Sequence, residues 1–75
     1  MRPEDIKVGK TYHHYNSKTA IRTVLGIGPE YRPDVWLGKG KPPDEPGVLF
    51  LDHRMYDRRN LYLSSFAVWA TTYEL

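Results

Sequence analysis

The chain contains no cysteine in its 75 residues. It therefore has no disulfide framework, no thiolate metal ligand and no thiol nucleophile. No apolar run approaches the length of about 20 residues that a membrane-spanning helix needs. The opening residues 1–5 also lack the apolar segment of a signal peptide. These absences predict a cytoplasmic protein without a membrane partner.

A strong charge excess is missing as well, since 11 basic residues face 9 acidic ones and the formal net charge is +2. This balance alone does not indicate binding to nucleic acid. Aromatic residues are plentiful instead, with six Tyr, two Trp and two Phe. Because each large ring can bury roughly 150–250 Å², aromatic packing is expected to stabilise a chain this short. We predict a single small domain over residues 1–75.

Short stretches of β-branched and aromatic residues, separated by glycine, proline and asparagine, predict a mostly-β fold. The predicted strands are residues 11–15, 20–27, 35–37, 48–54 and 61–63, with a hairpin turn at residues 16–18, and residues 71–75 are a candidate for a short final strand that closes the sheet. The expected architecture is a small antiparallel barrel of four to five strands.

The longest predicted strand, residues 20–27, alternates between two sets of side chains. Leu25 and Ile27 belong to one set, and Arg22 and Val24 belong to the other. The second set is not cleanly polar. We therefore predict either that Val24 is buried too or that a bulge shifts the register of the strand.

The uncharged stretch of residues 60–70 supplies the best core candidates. Ser64 and Ser65 can cap the first turn of a helix. Phe66 and Trp69 follow three residues apart, so one helical turn would place both rings on the same side. We predict one short helical turn near the C-terminus, with both rings packed in the core.

The N-terminal residues predict a second, smaller helical element. Pro3 and the two acidic residues after it favour a single helical turn. Ile6 and Val8 follow this turn and are the first candidate core residues.

Residues 38–47 contain three glycines, three prolines and four charged residues. Because this composition offers nothing to bury, we predict an exposed, flexible loop. Its Gly-Lys-Gly-Lys start resembles a phosphate-binding loop only superficially, because Pro42 and Pro43 exclude the helix that such a loop requires.

The residues that could carry metal or catalytic chemistry are poorly arranged. His13 and His14 are adjacent in a predicted strand and would point to opposite faces, and the same holds for Asp52 and His53. No activated nucleophile and no pair of carboxylates in an apolar setting is recognisable. We predict no metal, no cofactor, no catalytic residue and no enzymatic activity.

The most suggestive surface group is the charged hairpin tip at residues 52–59, where three arginines surround a tyrosine. Arginine and tyrosine are frequent anchors of protein contacts, and they also contact phosphates and stack on bases. In a third interpretation, Asp52 and Asp57 simply pair with the arginines on a solvated hairpin. The candidate partner contacts are Arg54, Tyr56, Arg58, Arg59 and, on the neighbouring predicted strand, Trp36.

Interspersed acidic residues favour a protein partner over nucleic acid, since each one weakens the attraction to phosphate. The aromatic residues outnumber the places in one small core, so some must line the surface. A tyrosine-rich surface predicts a partner or a homodimer interface.

Several segments together resemble short phage and prophage proteins with a small SH3-like β-barrel. They are Ile6-Lys7-Val8-Gly9-Lys10-Thr11-Tyr12, Arg22-Thr23-Val24 with Ile27, Val48-Leu49-Phe50, and Leu61-Tyr62-Leu63-Ser64-Ser65-Phe66 with Trp69-Ala70. The resemblance implies an origin in a bacterial virus, a location in the host cytoplasm and a role in binding a host or viral component. It brings no functional residues with it.

We therefore expect a non-catalytic protein-binding module, a phage accessory protein that acts on a bacterial host protein. The alternative is a weak single-stranded nucleic-acid-binding protein, which would use the basic and aromatic hairpin tip together with the histidine–tyrosine strand at residues 11–15.

Overall fold

The computed structural model of the protein describes residues 1–15 and 19–73. The described elements are the strands β1 (Thr11–His13), β2 (Ile21–Gly28), β3 (Gly47–Asp52), β4 (Asp57–Tyr62) and β5 (Thr72–Tyr73), the helix α1 (Leu63–Trp69), and 3-10 turns at Pro3–Asp5 and Pro29–Tyr31. The hairpin turn expected at residues 16–18 lies outside the described residues, as do residues 74 and 75 of the expected last strand.

The strands form one antiparallel sheet in the order β4-β3-β2-β1-β5. The two-residue β5 follows the helix and returns to pair with β1, where Tyr73 lies opposite Tyr12. Over the described ranges the sheet is open, because β4 and β5 are its two edges and do not pair with each other. The mostly-β, antiparallel character and the single C-terminal helix agree with the expectation from sequence.

The bulge considered for β2 is present. The register against β3 shifts between Val24 and Gly26, so Leu25 has no direct partner. Val24 is fully buried and Leu25 is exposed. The set that contains Arg22 and Val24 therefore faces the core at this end of the strand, because the alternation of side chains is interrupted by the extra residue.

One face of the sheet packs against α1 and forms the hydrophobic core. The buried core residues are Ile6, Tyr12, Val24, Val48, Phe50, Phe66, Ala67 and Ala70. The Phe66 ring lies 5.7 Å from the Tyr12 ring in an edge-on arrangement and 5.2 Å from the Phe50 ring. Trp69 is only half-buried and packs at the border of this core, 5.5 Å from Phe66. Phe66 thus lies in the core as expected, whereas Trp69 packs against its border.

The helix begins one residue before the serines expected to cap it. Its N-cap is Tyr62, whose side chain makes no capping hydrogen bond. Ser64 instead donates from its backbone N–H and its hydroxyl to Oε1 of Glu45, at 2.9 and 2.5 Å. Glu45 thus supplies the acceptor that a capping serine would have provided, because free N–H groups in a first helical turn need one. This contact also attaches the end of the 38–47 loop to the helix.

The opposite face of the sheet is partly covered by the Pro29–Tyr31 turn. The side-chain amide of Asn60 on β4 donates to the Tyr31 carbonyl oxygen at 2.7 Å. At Gly47 the turn comes so close that a Cβ atom would lie 2.0 Å from this same oxygen. Only glycine allows such an approach of two backbones.

Two further predictions from sequence are wrong. Residues 35–37 do not form a strand but belong to the irregular connection between the Pro29–Tyr31 turn and β3. Val35 and Leu37 are exposed there, and only Trp36 turns inward. Val8 is also exposed, since it lies in the turn before β1, whereas Ile6 is buried as expected. A short apolar run cannot by itself distinguish a strand from an apolar surface loop.

The 38–47 loop is exposed over its first half, as expected, but Glu45 and Pro46 are partly buried and Gly47 belongs to β3. The helical turn expected at Pro3–Asp5 is present. None of the helices in the described ranges is long and apolar enough to cross a membrane.

Candidate partner-binding surface along strand β4

Strand β4 is the edge of the sheet next to the helix, and its two sides differ. Asp57, Arg59 and Leu61 lie opposite Asp52, Phe50 and Val48 of β3, so they share the face that packs against α1. Arg58, Asn60 and Tyr62 lie on the other face, because successive side chains of a strand alternate. Beyond β4 no further strand is present in the described part of the chain, so its outer edge offers backbone groups for pairing.

The hairpin tip that connects β3 and β4 consists of residues 53–56. Tyr56 has a positive φ of 49° and is 82% exposed. Such a backbone conformation is uncommon for a bulky residue. Asp52 organises the start of the turn, because its Oδ1 accepts a hydrogen bond of 3.0 Å from the backbone N–H of Arg54. The tip therefore presents an exposed tyrosine on a defined turn.

Arg22 occupies an unusual position at the border of the core. Its guanidinium carbon lies 4.2 Å from the ring centre of Trp69 and 4.6 Å from that of Phe50. Its Nε lies 3.9 Å from Oδ2 of the buried Asp52. The side chain is 18% exposed. Burial lowers the pKa of Arg22 below its ordinary value and Arg59 lowers it further, whereas Asp52 opposes both effects.

A cavity of about 340 Å³ opens beside this arginine on the helix side of β4. It is lined by Arg22, Phe50, Arg59, Asn60 and Leu61, and we call it the arginine cleft. Arg59 forms an ion pair of 3.8 Å with the neighbouring Asp57, and both side chains are more than half exposed. Exposed pairs of this kind contribute little, so Arg59 can turn to a ligand in the cleft.

A second cavity, of about 320 Å³, lies at the C-terminal end of β4 and shares Asn60 and Leu61 with the arginine cleft. We call it the Trp36 groove, and its lining residues are Pro33, Val35, Trp36, Leu37, Gly38, Asn60, Leu61, Tyr62 and Ser65. The Trp36 ring stands edge-on to the Tyr62 ring at 5.5 Å. Leu37, at its rim, is 93% exposed.

Trp36 carries a polar group that lacks a partner. Its indole Nε1 is buried, and no hydrogen-bond acceptor is found for it among the residues that the structure describes. A buried donor without an acceptor costs about 1–3 kcal/mol. Such a defect is tolerated more readily where a ligand supplies the missing group.

The side chains of two of the three histidines make hydrogen bonds within the protein. Nδ1 of His14 lies 2.6 Å from the Trp69 carbonyl oxygen, and Nε2 of His53 lies 2.7 Å from the hydroxyl of Thr23. Within residues 1–15 and 19–73, no three side chains of His, Asp or Glu come together as a metal site would require.

No protein-family model, curated protein or solved structure that was compared with the chain matches it.

The structure divides the four contact residues that were predicted at one hairpin tip, and Trp36 does not lie on a neighbouring strand. Arg54 and Tyr56 lie in the turn. Arg58 and Arg59 belong to β4 and point to opposite faces of the sheet, because they are adjacent in a strand. Trp36 lies in a loop at the far end of β4, beside Tyr62. All five residues lie on β4 or next to one of its two ends.

Arg22 is the residue that sequence reasoning missed. It was recognised only as a member of the alternating set in β2 that also contains Val24. A charged residue in register with a buried valine is a signal of a paired or functional charge. Its partner could not be found without the register between β2 and β3, which places Arg22 opposite Asp52.

Proposed function

We propose that the protein is a non-catalytic protein-binding module that binds an extended segment of its partner along β4. The observation that carries this proposal is the open edge of β4 beside the apolar Trp36 groove. An extended segment that pairs with an edge strand gains main-chain hydrogen bonds, and a neighbouring pocket for a side chain adds specificity.

The exposed apolar side chains at the groove support the same proposal. Val35 and Leu37 project from an irregular loop and contribute nothing to the core. The unpaired indole N–H of Trp36 would be satisfied by an acceptor from a bound segment after a small shift of the ring.

Arginines on an edge strand also discourage pairing with unrelated chains. Arg58 and Arg59 therefore protect the edge and also select the partner, because they attract an acidic segment and repel a basic one. A partner of acidic character fits this surface.

The origin, fold family and location of the protein are further parts of the proposal. The meander of β2, β3 and β4, the helix that follows it and the return of β5 to β1 support an SH3-like barrel that is open between β4 and β5. We propose that the protein is a phage accessory protein that binds a bacterial host protein in the cytoplasm of the infected cell.

The function is tested by capture of partners from a bacterial lysate treated with nuclease, using the wild-type protein and two variants. Leu37→Ser removes an exposed apolar side chain at the groove, and Val68→Ser removes one on the outer side of α1, where Val68 is 80% exposed. Since neither residue supports the core, both variants should fold. We expect a stoichiometric partner to be retained by wild type and Val68→Ser and lost by Leu37→Ser.

Two results would contradict the proposal. One is that no protein is retained at a stoichiometric level. The other is that Leu37→Ser retains the partner as well as Val68→Ser does. Sedimentation of the purified protein would detect the case in which the partner is a second copy of the chain.

Single-stranded nucleic acid remains the second candidate, because Arg54, Tyr56 and Arg58 are all exposed at or next to the tip. Binding of this kind would weaken steeply with salt. If a fluorescent oligonucleotide binds and its affinity falls severalfold between 50 and 200 mM salt, on the order expected for a few phosphate contacts, this candidate replaces the protein-binding module.

A further inference from the structure

We propose that Arg22 and Arg59 form a carboxylate-binding site in the arginine cleft. The site receives an acidic side chain of the segment that pairs with β4, and in this respect it rests on the proposed function. The ligand is thus a protein segment with an Asp or Glu at one defined position.

The Arg22 side chain is held in a fixed position in which it can bind such a ligand. The two aromatic rings of Phe50 and Trp69 hold its guanidinium group in place at 4.6 and 4.2 Å. Ring contacts to the guanidinium leave its N–H donors available, because these donors lie in the guanidinium plane. No acceptor of the described residues lies within hydrogen-bond distance of the group, and its contact with Asp52 is an ion pair at 3.9 Å.

Arg59 provides the second positive charge of the site. Together with Arg22 it lines the cavity of about 340 Å³, which opens to the solvent next to the edge of β4. Repulsion from Arg59 is one of the causes that lower the pKa of Arg22, after burial, so the two groups are close enough to interact. A carboxylate between them would relieve this repulsion and accept charge-assisted hydrogen bonds.

The two native carboxylates nearby leave room for this ligand. Asp52 is already engaged, because its two oxygens face Arg22 and the backbone N–H of Arg54. Asp57 lies 3.8 Å from Arg59 in a solvent-exposed pair. A ligand carboxylate would displace Asp57 from Arg59, because an exposed pair is readily broken, and it would share Arg22 with Asp52.

Arg59 of the cleft lies on the helix face of β4, whereas Trp36 of the groove packs on Tyr62 of the opposite face, and this determines the sequence pattern of the partner. Side chains of a segment added to β4 also alternate between the two faces. The sequence positions of an acidic residue in the cleft and of a large apolar residue in the groove must therefore differ by one or three.

Selection from a library of random twelve-residue peptides tests the site in its protein context. The bait is the whole chain as wild type, Arg59→Gln or Arg2→Gln. The last variant is the matched control, because it makes the same change of charge at a side chain that is 81% exposed and lies outside β4 and the two cavities. Arg59 is exposed, so its replacement should not prevent folding.

We expect wild type and Arg2→Gln to select peptides that carry Asp or Glu one or three positions from a large apolar residue. Arg59→Gln should lose the preference for the acidic residue and bind the selected peptides about tenfold more weakly. Asp57→Asn should bind them about two- to threefold more tightly, because it removes the competing carboxylate.

A direct titration separates the failure of the site from the failure of the proposed function. The probe is succinate, and the readout is the NMR signals of the arginine Nε–H groups. Saturable shifts of the Arg22 and Arg59 signals are expected in wild type and in Arg2→Gln, with a Kd on the order of millimolar, whereas Arg59→Gln should show none at Arg22.

If succinate binds but no peptide is selected, the carboxylate site stands and binding of a segment along β4 is wrong. If peptides are selected without an acidic preference and succinate shifts neither signal, the binding module stands and the carboxylate site is wrong. If both experiments are negative, both proposals are overturned.

Discussion

Tyr56 combines a left-handed backbone conformation with a largely exposed aromatic ring, and Tyr15 does the same. The left-handed conformation costs a residue with a side chain roughly 1–2 kcal/mol. The ring recovers little of this cost by packing, since it lies in the solvent. Backbone strain of this kind is often found at binding sites, so the tip remains a candidate contact next to β4.

Replacement of Tyr56 by glycine should stabilise the protein by about 0.5 kcal/mol, because the relief of strain exceeds the added entropy of the unfolded chain. Tyr56→Ala is the matched control: it also removes the ring but keeps the Cβ atom, so it should bring no gain. Urea unfolding of both variants measures the difference. A glycine variant that is less stable than the alanine variant would show that the turn is not strained.

At the scale of elements, β4 depends on the connection that precedes β3. The Pro29–Tyr31 turn reaches across the sheet and accepts a hydrogen bond from Asn60 at 2.7 Å. The chain then runs on to Trp36, which packs on Tyr62 at the end of the strand. The turn and the strand are thus linked at two points, and together they shape the Trp36 groove.

Gly47→Ala should disrupt this arrangement. A Cβ at this position would lie 2.0 Å from the Tyr31 carbonyl oxygen, so the turn must move away. We expect a loss of about 1–3 kcal/mol of stability, typical of overpacking, and a shift of the Trp36 indole N–H signal in NMR spectra. Gly40→Ala is a useful control for added volume alone, since a Cβ there would meet nothing, although its positive φ of 77° brings a strain of its own. Unchanged spectra for Gly47→Ala would mean that the turn does not lie against β3.

At the scale of the whole molecule, one aromatic cluster joins the helix to the sheet. Phe66 is fully buried between Tyr12 and Phe50, whereas Trp69 lies at the edge, stacked on His14 at 5.8 Å. A domain of this size has a total stability on the order of 4–11 kcal/mol. A single large cavity in this cluster would consume much of that margin.

Phe66→Ala should therefore destabilise the protein by about 3–5 kcal/mol. Trp69→Ala should cost clearly less, about 2 kcal/mol, because the ring is only half-buried. Val68→Ala on the exposed side of the same helix should stay within about 0.5 kcal/mol of wild type. Thermal or urea unfolding gives all three values. A larger loss for Trp69→Ala than for Phe66→Ala would place the centre of the core at Trp69.

Much of the fold follows from local features of the sequence. The strands β1, β2 and β3, the first helical turn and the C-terminal helix lie close to the residues where β-propensity, turn residues and helical spacing indicated them. The imperfect alternation in β2 predicted either a buried Val24 or a bulge, and the structure contains both. The failure at residues 35–37 has a physical reason. These three apolar residues line the Trp36 groove from an irregular loop and do not form a strand.

The candidate site followed from the sequence only in part. The arginines and the tyrosine before residue 60 were recognisable as a surface group, but their division between the two faces of β4 depends on where the hairpin turn ends. The strand begins at Asp57, so Arg58 and Arg59 both belong to it and their side chains point to opposite faces of the sheet. Arg22 on β2 and Arg59 on β4 line the same cleft only because both strands pair with β3.

The sequence by itself thus determined the properties that depend on neighbours along the chain: the lack of thiol chemistry, the β character of the segments, the turns and the helix. The tertiary structure alone decided which charges meet and which edge stays open, because antiparallel pairing joins residues that are tens of positions apart. The pairing of Arg22 with Asp52, the arginine cleft and the Trp36 groove all arise from such distant contacts.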